Sequence, residues 1–167
     1  PVAAMATRRA LHAATLLPSG KVLVAGGRTC NAPPPTACNS TFTTKNAEVY
    51  DPATGTWTPT ANTMEFARHT NAAAVLANGK VLIPGGFGDD QTTAELYDPA
   101  TNSWTTSAGR LIAGRARAGA TVLPDGRVLS AGGFPNNNSG ELYNPATDSF
   151  SATGTLPTFG AFNSYFA

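Results

Sequence analysis

AELYDPATNSW, residues 94–104, places two carboxylates, a phenol and an indole within eleven residues. Carboxylates and phenols are groups that move protons, so the stretch has the residue types of a reactive site. Elsewhere the chain offers His12, His69, Cys30, Cys38 and the adjacent acids Asp89 and Asp90. Two neighbouring acids do not make a Ca²⁺ ligand set. A two-cysteine metal site needs further nitrogen or sulfur ligands close by in sequence, and none stands there. No nucleophile elbow and no zinc-binding helix motif is present, which leaves serine, cysteine and metal-dependent hydrolysis without their machinery. The residue types therefore assign no catalytic residue, no metal and no cofactor.

The same phrase recurs. AEVYDPATGTW occupies 47–57 and GELYNPATDSF occupies 140–150, so Glu48, Glu95 and Glu141 stand 47 and 46 residues apart. Tyr50, Tyr97 and Tyr143 keep step, as do Trp57, Trp104 and Phe150. A second phrase repeats as SGKVLVAGG, NGKVLIPGG and DGRVLSAGG, ending at Gly26-Gly27, Gly85-Gly86 and Gly132-Gly133. Arg9, Arg68 and Arg115 each lie eleven residues before the first glycine of that phrase. Three anchors in fixed order, three times over, mark an internal repeat of about 47 residues. The first copy carries 12 extra residues between Gly27 and Glu48, where both cysteines fall.

Each repeat reads as four strands. Strand a follows the arginine (ALHAATLL, HTNAAAVL, ARAGATVL), and a Ser-Gly, Asn-Gly or Asp-Gly turn leads into strand b. Asn-Gly and Asp-Gly suit tight hairpins because both residues tolerate positive φ. Strand c is AEVY, AELY or GELY; Asp-Pro or Asn-Pro then opens a turn into strand d, the strand with the Trp or Phe. One such sheet cannot bury both faces alone, but sheets packed around an axis can.

The Gly-Gly after an apolar strand, the Tyr-Asp-Pro hairpin and the Trp seven residues after the Tyr resemble the kelch repeat over roughly residues 5–155. The resemblance is to the bacterial secreted kind. It implies an all-β fold: a β-propeller built of four-stranded antiparallel blades, about three of them in this chain. The chain then forms one kelch-repeat region, 1–167. Repeat 1 spans 5–63 with a Cys-containing insertion at about 28–46, repeat 2 spans 64–110 and repeat 3 spans 111–156. Residues 157–167 form a partial fourth strand or a tail. Asn144 and Phe150 depart from the pattern, and no arginine opens a fourth copy. Copper-radical oxidases also use kelch-type propellers, and their chemistry needs two His, a Tyr and a Cys-linked Tyr at one metal. His12 and His69 stand at different offsets from their repeat arginines, which argues against that enzyme.

The repeated residues are expected to be structural. The three glycine pairs allow close packing or positive φ. The six repeated aromatics fill space between blades. Arg9, Arg68 and Arg115 are expected to pair with Glu48, Glu95 and Glu141 through charge-assisted hydrogen bonds. Function is expected where the copies differ, on the face that carries the b–c loops and the d–a connections. The candidate binding residues there are His12, His69, Asn71, Phe87, Asp89, Asp90, Arg117, Phe134, Asn136, Asn137 and Asn138, with Leu11 alongside. Aromatics beside Asp and Asn suit a sugar or a peptide.

Composition sets the remaining bounds. A formal net charge of +1 without a like-charge block gives no footprint for nucleic acid or a membrane surface. No apolar run approaches the roughly 18–20 residues of a membrane-spanning helix. Cys30 and Cys38, in a Pro-rich polar stretch, read as a loop disulfide and hence as a secreted or cell-surface protein. Asn39-Ser40-Thr41 and Asn137-Asn138-Ser139 match the glycosylation sequon. The start, PVAAMATRR, reads as a processed end or a cut inside a longer chain. Three blades are fewer than the roughly 4–8 of a closed propeller. The expected partners are therefore flanking blades or further copies of the chain, in rings or filaments, together with a protein or glycan ligand.

Overall fold

A computed structural model describes residues 3–30, 41–135 and 138–156. Among them every regular element is a strand. The first sheet contains β1 (Ala13–Leu16), β2 (Val22–Ala25), β5 (Ala47–Asp51) and β6 (Thr56–Pro59), with β3 (Arg28–Thr29) and β4 (Phe42–Thr43) forming a small ribbon at the top of the insertion. In the second repeat β7 (Arg68–His69) pairs with β10 (Phe87–Gly88), while β8 (Ala74–Val75), β9 (Val81–Pro84), β11 (Ala94–Asp98) and β12 (Ser103–Thr106) make the sheet. The third repeats this with β13 (Arg115–Ala116) against β16 (Phe134–Pro135), and with β14 (Gly119–Val122), β15 (Val128–Ala131), β17 (Gly140–Asn144) and β18 (Ser149–Ala152). Neighbours are antiparallel, and the strands of each four-stranded sheet follow one another in chain order once the short two-residue strands are set aside, so each is a meander of the blade type. The three blades do not close on themselves.

Strand a differs from its expected extent. It does not run on from the arginine; the arginine opens a separate two-residue strand that pairs with the residues just after Gly-Gly. Two residues past each arginine the chain turns left-handed, at Leu11 (φ 57°), Thr70 (φ 50°) and Arg117 (φ 57°). Those conformations cost a non-glycine residue about 1–2 kcal/mol. Backbone bonds between blades offset the cost. Thr70 N–H donates to Leu11 O at 2.7 Å, and Arg117 N–H donates to Thr70 O at 2.9 Å.

Alternation along the strands gives each blade two apolar faces. Leu23, Ala25, Ala47 and Val49 of blade 1 pack against Val81, Ile83, Tyr97 and Trp104 of blade 2. Leu82, Ala94 and Leu96 on the other face of blade 2 pack against Val128, Tyr143 and Phe150 of blade 3. Val81, Leu82 and Ile83 are wholly inaccessible, each contributing about 1.5–3 kcal/mol of burial. The aromatics meet as cross-strand pairs: Tyr50–Trp57, Tyr97–Trp104 and Tyr143–Phe150, with ring centroids 5.0, 5.2 and 5.0 Å apart. Met64 and Leu111, each four residues before a repeat arginine, plug the two seams from the linkers.

Candidate functional site

Three buried arginines hold the frame on which the variable face is mounted. Arg9 reaches Glu48 at 2.7 Å, Arg68 reaches Glu95 at 2.9 Å and Arg115 reaches Glu141 at 2.7 Å, all within their own blades. Each guanidinium also donates to two carbonyls of the same blade; for Arg115 these are Gly132 O and Ser139 O. Each glutamate in turn accepts two backbone N–H groups of the incoming linker: Ala6 and Thr7, Glu65 and Phe66, Ile112 and Ala113. Burial pulls Arg68 below the ordinary arginine value, and the Glu95 carboxylate opposes that pull. The unit clamps the linker to strand c, and every polar atom it uses faces protein.

In blades 1 and 2 the first glycine of the pair is fixed by the next blade. A Cβ on Gly26 would lie 2.3 Å from Arg68 O, and one on Gly85 would lie 2.2 Å from Arg115 O. The second glycine donates to that same carbonyl: Gly27 N–H to Arg68 O at 2.8 Å, Gly86 N–H to Arg115 O at 2.9 Å. The residue right after each pair is therefore held at the top of the seam. It is Arg28 in blade 1, Phe87 in blade 2 and Phe134 in blade 3.

These positions build a continuous strip. Thr43, paired with Arg28 across the small ribbon, has its Oγ1 3.2 Å from His69 Nδ1. The His69 ring lies 5.6 Å from Phe87, and Phe87 lies 5.8 Å from Phe134. The Arg117 guanidinium sits over the Phe87 ring at 5.7 Å, within cation–π range. Burial lowers the pKa of His69, the charges of Arg28 and Arg117 lower it further, and a hydrogen bond involving the Phe87 backbone opposes them. Leu11, Phe42 and Phe134 stay 53%, 47% and 55% exposed on this face. Beside Arg28 a cavity of about 380 Å³ opens between Arg8, Leu11, Thr29 and Cys30.

The other candidate residues fall differently. His12 and Asn71 take equivalent places in blades 1 and 2, with their Cβ atoms against Gly27 and Gly86. His12 Nδ1 and both Asn71 amide atoms are buried without a protein partner. Burial first, then Arg9, lowers the His12 pKa. Asp89 and Asp90 do not join the strip. Asp89 accepts Ala67 N–H at 2.8 Å, while Asp90 accepts Thr92 N–H at 2.9 Å and pairs with Arg110. The hydrogen bonds from Thr92 hold the Asp90 carboxyl below its ordinary value. Both acids are thus loop braces, the ordinary work of Asp in turns. Asn138 is exposed, and its carbonyl accepts Leu156 N–H. Asn136 and Asn137 lie outside the described residues, as does Cys38, the expected disulfide partner of Cys30. Cys30 Sγ is 3.4 Å from Arg8 Nη2.

Sequence reasoning missed four contributors. Thr43 and Arg28 sit at the edges of the insertion, where no repeat pattern points to them. Asn102 and Asp148 look like ordinary turn residues, but both reach across a seam. Asn102 O accepts Ala61 N–H, and Asp148 accepts Ser107 Oγ and Ala108 N–H. Their left-handed φ of 54° and 48°, at the place where repeat 1 has Gly55, was the available signal.

Comparison with known families finds one match: residues 68–109, most of the second repeat, fit the family model of the Kelch motif. No curated protein matches the chain.

Proposed function

We propose that this kelch-repeat chain, with a kelch motif at its centre and two more copies of the same blade beside it, is a non-catalytic interaction module. Its ligand, a protein or a glycan, docks on the b–c loop face. One observation carries the reading: the repeated arginines and glutamates are consumed inside the blades, whereas the face where the repeats differ keeps apolar side chains and cations in solvent. Large exposed apolar groups rimmed by polar ones mark interaction surfaces. The module works in an oxidising, secreted or cell-surface setting; Cys30 is not a free thiol, which supports this. A combined glycan and peptide array probed with the native chain and with Phe134→Ala tests the reading. Binding lost in the variant supports it, and an identical pattern from both chains overturns the assignment of this face. A copper-radical enzyme would need several ligands beside a histidine. Among the described residues no three His, Cys, Asp or Glu side chains cluster.

A second reading concerns the two outer faces and has its own support. Tyr50 and Trp57 of blade 1 are half-buried, whereas their counterparts Tyr97 and Trp104 are only 2% and 4% exposed under blade 1. On blade 3, Leu129 is half-buried where the equivalent Leu82 is fully covered. The front of blade 1 thus offers what a blade back receives, and the back of blade 3 offers what a blade front receives. Such heterologous contacts build rings or filaments. Flanking blades or further copies of the chain fill these faces. Light scattering separates the two: assemblies that grow with concentration mean further copies, and a monomer at all concentrations excludes them.

A further inference from the structure

The eleven Lys and Arg residues divide by how they are neutralised. Seven pair with carboxylates: Arg9, Arg68 and Arg115 inside the blades, and Lys21, Lys80, Arg110 and Arg127 at the surface. Arg28, Lys45 and Arg117 form no ion pair among the described residues; Lys45 lines a cavity with Glu65 and Glu95, whereas Arg28 and Arg117 lie at the aromatic strip. The two come from different blades and from unrelated repeat positions, so the frame does not require them there. Among the described residues, the charges of these two cations lower the pKa of His69, at the centre of the strip, after burial. Asp89, two residues after Phe87, is turned onto Ala67 N–H. A positive potential therefore stands beside the exposed ring of Phe134 and the half-buried ring of Phe87.

That pairing of properties selects a ligand with an apolar flat face and a negative charge at its rim. A pyranose presents C–H groups on one face, and a hexuronate adds a carboxylate at the edge of the same ring. We propose that the strip formed by Arg28, Thr43, His69, Phe87, Arg117 and Phe134 binds a hexuronate-bearing polysaccharide. The sugar faces stack on Phe87 and Phe134, and successive carboxylates pair with Arg117 and Arg28. This rests on the reading of the loop face as the binding surface. Stacking on an aromatic ring contributes area and guanidinium–carboxylate pairing contributes direction, so neither class of group suffices alone. Asp and Glu carry their carboxylates on acyclic side chains, so poly-glutamate satisfies the arginines without a ring face to lay on the phenyl groups.

Isothermal titration of the native chain with polygalacturonate, its fully methyl-esterified form and poly-glutamate tests the proposal. Binding is expected to polygalacturonate alone. Arg117→Gln, Arg28→Gln and Phe134→Ala are each expected to weaken it about tenfold, with circular dichroism unchanged. Equal binding of the esterified polymer would remove the role of charge and overturn the proposal. Binding of poly-glutamate that matches polygalacturonate and ignores Phe134→Ala would overturn it in favour of an acidic peptide. Absence of binding to polygalacturonate would also overturn it. If the array then shows a neutral ligand lost in Phe134→Ala, the module reading stands while this inference fails.

Discussion

Arg68 and Arg117 are the same side chain in opposite settings. Arg68 is 1% exposed, bonded to Glu95, Thr93 and Gly85, and recurs in every repeat. Arg117 is exposed, lies on a phenyl ring, and has Leu11 and Thr70 as its counterparts. The contrast separates the two tasks of a repeat chain. What must be identical in each copy is spent on holding the copies together. What is free to vary sits just outside that frame, at a place the frame has already fixed.

The sharpest way to break the contrast is Arg68→Met. It leaves Glu95 buried and unpaired, and the expected loss is about 3–5 kcal/mol in denaturant titration. A loss below about 1 kcal/mol would mean that the pair is not structural. Next is Gly85→Ala, which sets a methyl group 2.2 Å from Arg115 O at a residue of φ 63°. About 1–3 kcal/mol is expected from overpacking and strain. Gly126→Ala is the control, with φ 85° but nothing within 4 Å, and should cost roughly 1 kcal/mol. Equal effects of the two alanines would show that the seam yields.

A smaller effect comes from pH. His12 and His69 both have folded-state pKa values below the ordinary 6.5. The unfolded chain takes up its protons first, so stability is full above about 6.5 and falls as the pH drops from there to the folded-state values. Thermal melts from pH 8 to 5 should show this slope, and a His12→Asn, His69→Asn double variant should flatten it. The smallest effect is Arg117→Gln, expected to stay within about 0.5 kcal/mol of the native chain. A larger loss would place Arg117 in the frame after all.

Much of the frame was legible because the repeat multiplies its signals. Glu95 and Glu141 follow their arginines by 27 and 26 residues, and Glu48 does so by 27 once the insertion is set aside, so paired charges at nearly constant spacing point to paired contacts. The break in strand a was not legible. Leu11, Thr70 and Arg117 share no property that announces a left-handed residue, and the cause is a bond made by the neighbouring blade. Local sequence carries no record of such a tertiary term. The linker plugs Met64 and Leu111 were readable in hindsight from their fixed offset, and Met5 stands at the same offset in repeat 1. For the site, Phe87, Phe134, His69 and Arg117 could be found by asking where copies disagree. Asp89 and Asp90 answered the same question misleadingly, since a loop also needs acceptors for its own N–H groups.

The bonds from Gly27 to the Arg68 carbonyl and from Gly86 to the Arg115 carbonyl all run the same way along the chain. Each donor belongs to an earlier blade and each acceptor to a later one. During synthesis a finished blade therefore leaves the ribosome with its seam unmet until about fifty more residues have followed. Assembly is vectorial: blade 1 gains its full protection only when blade 2 arrives, and blade 2 when blade 3 does. Exchange of the Gly27 amide with solvent would report that arrival directly, as a clock for the growth of the stack.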